Sequence, residues 1–68
     1  MSPDEIKELL ELKGWNQAEL ARRMDTTEAS VSRWLLPASD PRSRSPLGPA
    51  RVLLREWLER ARRHPQPV

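Results

Sequence analysis

The twenty residues 17–36, QAELARRMDTTEASVSRWLL, limit more than any other stretch what this chain can fold into. Leu20, Ala21 and Met24 recur at helical spacing and so share one face of a short helix. Val31, Trp34 and Leu35 repeat the pattern in a second helix. Between them, Asp25-Thr26-Thr27 is turn and capping chemistry rather than helix interior. Ala21 is small enough to let the second helix cross close over the first. The other face of the second helix carries Glu28, Ala29, Ser32, Arg33 and Leu36, mostly short or polar, which a core does not need. A helix anchored on one face and short-chained on the other can enter a DNA major groove.

Ahead of this stretch, Ser2-Pro3-Asp4-Glu5 is a strong helix start. Ser2 can cap, Pro3 suits the first helical position, and Glu5 completes a capping box. Ile6, Leu9, Leu10 and Leu12 then make an amphipathic helix of about three turns, with Lys7, Glu8 and Glu11 on its solvated face and Gly14 ending it. Asn16 caps the next helix, Glu19 closes a second box, and Trp15 staples onto Leu20 as a core residue. Arg22 and Arg23 point outward, either solvated or against phosphate. Thr27 caps the third helix, which ends near Leu36 because Pro37 disfavours helix just before it.

Residues 37–48, PASDPRSRSPLG, have no period and three prolines. A loop of this length is long for a small domain and invites a functional explanation. Its Arg42 and Arg44 either follow a phosphate backbone or simply solubilise a connector. Pro46 or Pro49 opens a last helix in which Ala50, Leu53, Leu54, Trp57, Leu58 and Ala61 form an unbroken apolar stripe. Arg55–Glu59, Glu56–Arg60 and Glu59–Arg63 stand at i,i+4 spacing. His64 lies at the helix end, and residues 65–68 are expected to be a disordered tail.

The fold expected is therefore all-α: a compact bundle of four helices in one domain over residues 1–64. Sixty-eight residues leave room for one small domain. A core of that size yields only ~3–5 kcal/mol of net stability, so every apolar face must be used. The apolar stripe of the last helix is wider than three small helices need. Leu54, Trp57, Leu58 and Ala61 are thus expected to form a dimer interface.

Absences narrow the function. With no Cys and a single His there is no disulfide framework, thiolate nucleophile or structural zinc site to expect. No Gly-rich phosphate loop, metal spacing or nucleophile–base pairing is present, so neither catalysis nor a cofactor is expected. No apolar run has the length of a membrane span or signal core, which leads us to expect a cytoplasmic protein without a membrane partner or small-molecule ligand. Net charge is only +2, but it is unevenly placed. Residues 1–34 hold five basic and seven acidic side chains, a balance of −2; residues 35–68 hold seven and three, a balance of +4. Such asymmetry fits nucleic-acid contact on one side.

Residues 6–36 resemble the helix-turn-helix of the Cro/CI-type (XRE-like) transcriptional regulators. Gln17 opens the first motif helix, Ala21 holds the close-packing position, and Val31-Ser32-Arg33-Trp34 resembles the recognition-helix core. Two positions depart from the family pattern: Asp25 stands where Gly is usual and Thr26 where an apolar residue is usual. Asp tolerates the left-handed conformation better than most residues, so the turn survives.

The resemblance implies a lambda-repressor-like domain that binds double-stranded DNA with its third helix in the major groove. Glu28, Ala29, Ser32 and Arg33 would face the bases. Glu28 can accept from a cytosine amino group, Ala29 can touch a thymine methyl, and Arg33 can pair with guanine or phosphate. Gln17 resembles the family's phosphate-clamping residue, and Thr27, Ser30, Arg42 and Arg44 complete the contact set. One helix reads only a few base pairs, so a homodimer on a palindromic operator is expected. The small size resembles phage-type and anti-CRISPR-associated repressors that shut down their own operon. The rival is a protein-interaction or antitoxin-like module using the same helices; Asp25 and Glu28, which would approach phosphates, speak for it.

Overall fold

The computed structural model describes residues 1–64, and the expected tail of residues 65–68 lies outside them. Four helices follow one another: α1 (Pro3–Lys13), α2 (Gln17–Arg23), α3 (Glu28–Leu35) and α4 (Pro49–Arg63), with no strand among the described residues. The all-α expectation holds.

Each helix starts where its capping chemistry places it. The Glu5 amide donates to Ser2 Oγ at 3.3 Å and the Ser2 amide donates to the Glu5 carboxylate at 3.0 Å, a complete capping box. That bond to the Ser2 backbone holds the Glu5 carboxyl below its usual range. Gly14 ends α1 at φ 69°, and its amide and that of Trp15 close onto carbonyls of the last turn. Asn16 Oδ1 accepts the Glu19 amide at 2.8 Å. Glu19 does not return the bond, contrary to the second box expected, because Arg22 and Arg23 offer charged donors one turn on. Its carboxylate takes them at 2.7 and 3.1 Å.

Asp25 turns the chain from α2 to α3 at φ 54°, the left-handed conformation expected of it. The Thr26 amide reaches back to the Ala21 carbonyl at 2.9 Å. Thr27 Oγ1 accepts the Ser30 amide at 3.1 Å and opens α3. Ala21 is buried, as its close-packing place requires.

One core holds the four helices together: Ile6 and Leu9 of α1, Leu20 and Ala21 of α2, Val31 of α3, and Leu54, Leu58 and Ala61 of α4. Trp15, Trp34 and Trp57 pack against it, half-buried. α1 is the central element, touching both α3 and α4, while α2 packs on α3. The Trp15 and Trp57 rings meet edge to face at 5.5 Å between centroids. Arg23 lies over the Trp15 ring at 4.4 Å, an arrangement that ties α2's outer face to the aromatic pair.

The dimer-interface expectation for α4 is corrected here. Leu54, Leu58 and Ala61 are buried at 0%, 2% and 2% exposure inside the single chain, and Trp57 is engaged by Trp15. The stripe is not in excess, because α4 covers α1 along its length and takes core contacts that three short helices cannot supply to one another. Burying Leu54 and Leu58 this way is worth roughly 1.5–3 kcal/mol per side chain. Of the three i,i+4 pairs expected on α4, only Glu56–Arg60 closes, at 2.8 Å; Arg63 bonds the Glu59 carbonyl instead. Arg62 makes a bridge with no local signal in the sequence, donating twice to the Glu8 carboxylate of α1 at 2.7 and 2.8 Å.

The long loop is anchored rather than free. Pro46 is fully buried, the Arg44 amide donates to the Arg33 carbonyl at 3.2 Å, and Ser43 Oγ donates to the Leu36 carbonyl at 3.3 Å. They give the Leu36 carbonyl a partner and the Arg33 carbonyl, which already accepts from the Leu36 amide, a second one.

Candidate nucleic-acid interface

Steps of 100° per residue place Glu28, Ser32, Ala29 and Arg33 within an arc of roughly 140° on α3. All four are exposed. Val31, fully buried, and Trp34 and Leu35, half-buried, occupy the rest of the circumference. This division sets the orientation of α3: the apolar arc docks on α1 and α2, and the polar arc faces outward. Neither Glu28 nor Arg33 makes a side-chain hydrogen bond or ion pair among the described residues, so both heads are open to an incoming partner. Leu36, grouped with this face by spacing, is half-buried and lines a shallow groove with Lys7, Leu10, Gln17, Ser32 and Leu35.

Gln17 and Ser32 meet across the two motif helices. Ser32 Oγ donates to Gln17 Oε1 at 2.7 Å. Gln17 is the first residue of α2, where amide N–H groups lack helical partners and the dipole favours an anion. With its oxygen held by Ser32, the Gln17 side chain presents its NH2 group for donation. Spacing placed Ser32 on this face and the family resemblance named Gln17; nothing local in the sequence links positions fifteen apart, so their mutual bond was not foreseen.

Thr27 and Ser30 are also brought together, but for capping. Thr27 Oγ1 accepts the Ser30 amide and donates to Ser30 Oγ at 3.1 Å. Thr27 is exposed and Ser30 half-buried at the start of α3.

The loop arginines lie differently. The backbone of Arg44 is bonded to that of Arg33, so this part of the loop borders the C-terminal end of α3. The Arg44 guanidinium donates to the Pro41 and Ser43 carbonyls at 3.1 and 2.8 Å, neutral acceptors that leave its charge intact. Arg42 is clamped onto Asp40, with bonds at 3.3 and 3.2 Å. The hydrogen bond to Arg42 lowers the Asp40 carboxyl below its usual range, and the same bond raises the arginine. Arg22 and Arg23 are likewise paired with Glu19, whose carboxyl the Arg22 bond holds low. Among the described residues, the cationic positions beside the polar arc with no carboxylate partner are thus Lys7, which shares the groove with Gln17 and Ser32, Arg33 and Arg44.

Comparison with known proteins agrees with this geometry. Residues 6–36 match the helix-turn-helix family model, a span running from within α1 to the residue closing α3. No curated protein and no solved structure matches the chain. The matched segment supports an XRE-like helix-turn-helix and, in general terms, a DNA-binding regulator.

Proposed function

From the helix-turn-helix of residues 6–36 as premise, we propose that the protein is a sequence-specific, double-stranded-DNA-binding repressor. It acts as a dimer on a palindromic operator, in the manner of small phage-type or anti-CRISPR-associated regulators of their own operon. The observation that carries this reading is the open polar arc of α3. Four exposed side chains of graded chemistry stand there with no task in the core: an acceptor, a methyl, a hydroxyl and a guanidinium. In the major groove Arg33 donates to guanine O6 and N7, Glu28 accepts from a cytosine amino group, and Ala29 meets a thymine methyl. The Gln17 NH2, oriented by Ser32, donates to a phosphate at the start of α2. Thr27 and Ser30 hold the start of α3 in register, and Arg44, with Arg42 where it exchanges Asp40 for phosphate, fixes the backbone beyond the other end. A second copy doubles the reading length on a two-fold site.

One observation favours a protein-binding module instead. Asp25 and Glu28 are exposed at the turn and the α3 start, while Arg22, Arg23 and Arg42 are already paired with carboxylates. Titration of random-sequence duplex at about 50 and 200 mM salt decides between the two, because displaced counterions make DNA affinity fall steeply with salt. Steep loss supports the DNA reading. No measurable affinity at the lower salt overturns it.

A further inference from the structure

The shallow groove beside the Gln17–Ser32 bond has an apolar floor and a polar rim. Leu10, Leu35 and Leu36 are half-buried in the floor. The rim is exposed, with Lys7 and Glu11 from α1, Gln17 from α2 and Ser32 from α3. Neither the core nor a neighbour on α1 uses the Lys7 ammonium. Asp4 and Glu11 stand three residues before it and four after, spacings that commonly pair on a helix. Neither pairs with Lys7 among the described residues, whose ion pairs all involve other side chains. A second depression shares Lys7 and Leu35 with the first and continues past Pro37, so Lys7 stands where the two join.

An apolar floor with a cation at its rim suits a nucleic-acid backbone, in which deoxyribose faces alternate with anionic phosphates. Gln17 alone would meet a phosphate with a neutral donor and leave the charge uncompensated. The ammonium of lysine, on its flexible four-carbon stem, supplies the missing cation as a point charge. Arg33 and Arg44 lie outside the groove, so neither takes this place. We infer that the groove seats one sugar–phosphate strand of the duplex whose bases α3 reads, its deoxyribose on the leucine floor and its phosphates on Lys7 and Gln17. The inference rests on the DNA-binding reading and carries the contact surface from α3 onto α1. Such contacts are blind to base identity, so Lys7 adds affinity and register but no sequence preference.

The salt dependence of duplex affinity tests it. The parent, Lys7→Gln and a control, Lys13→Gln, are titrated with random-sequence duplex at about 50 and 200 mM salt. Lys13 also belongs to α1, but its ammonium lies by the Trp15 ring and outside the groove. Urea unfolding of each variant runs alongside, with a Lys7→Gln midpoint equal to the parent's expected for an exposed helical site. Lys7→Gln is expected to bind more weakly than the parent at the lower salt. Its slope of log affinity against log salt should be shallower by about 0.9, so that it loses roughly threefold less affinity over this range. Lys13→Gln should keep the parent slope. A parent slope retained by Lys7→Gln overturns the inference and leaves the DNA reading standing. An equal change in Lys13→Gln makes the effect one of net charge and overturns it too. So does a loss of stability in Lys7→Gln, which marks a structural residue. A parent with no affinity for duplex at the lower salt sinks the DNA reading and this inference together.

Discussion

Arg33 concentrates the argument at the scale of single residues. Its guanidinium is exposed on α3 and makes no internal bond among the described residues, so truncation removes nothing the fold requires. Arg33→Ala is expected to weaken operator binding by ~1–3 kcal/mol and to relax preference at one base pair per half-site, with thermal stability within about 0.5 kcal/mol of the parent. A folded variant of undiminished affinity would remove Arg33 from the contact set. Leu58 is the opposite case. At 2% exposure in the core it is expected to cost ~2–5 kcal/mol when changed to Ala, and Leu58→Glu should leave the chain unfolded by circular dichroism. A helical Leu58→Glu monomer would contradict the packing described. The difference between these residues shows what was legible. Spacing alone separated the polar arc of α3 from its core arc, because a short helix has only two sides to assign. It could not say whether the apolar stripe of α4 faced its own core or a twin, because that depends on how far α4 lies over α1.

Among the elements, the α1–α4 contact and the loop behave as supports for α3. Glu8 and Arg62 clamp α1 to α4, and the bond from Arg62 holds the Glu8 carboxyl below its usual range while raising Arg62. A carboxyl lowered on folding binds fewer protons than in the unfolded chain. Its contribution is therefore complete above the ordinary glutamate value of about 4.3 and fades as pH falls through the folded value. Urea unfolding followed from pH 7 down to about 3 should show stability declining below that point, with a shallower decline in Glu8→Gln. Equal declines in both proteins would take Glu8 out of the account. In the loop, Arg42→Ala with Arg44→Ala should lower affinity for all duplexes alike and reduce the salt slope by about one to two units, while Asp40→Asn, by releasing Arg42, should tighten binding. An unchanged slope would make the loop a connector that only closes the end of α3. The sequence marked this loop as unusual by its length and prolines. That Pro46 is buried and Arg42 is clamped by Asp40 was hidden, since aperiodic backbone leaves no spacing from which to read contacts.

For the whole molecule, a single small core presents the exposed polar arc of α3 and a loop end that borders it. No helix among the described residues is long and apolar enough to cross a membrane. Four helices, their caps and the turn at Asp25 followed from local chemistry, whereas the tertiary bonds Arg62–Glu8 and Ser32–Gln17 join distant positions that no local rule connects. The central claim is that the exposed arc of α3 reads duplex sequence. Selection of bound sequences from a random duplex pool, run in parallel with the parent and with Arg33→Ala, tests it most directly. The account predicts that the parent enriches an inverted repeat with half-site centres roughly one helical turn apart or a multiple of it. It further predicts that Arg33→Ala enriches the same repeat with preference lost at one symmetry-related pair of positions. A parent pool that stays random after repeated selection, or an Arg33→Ala pool identical to the parent's, would contradict it.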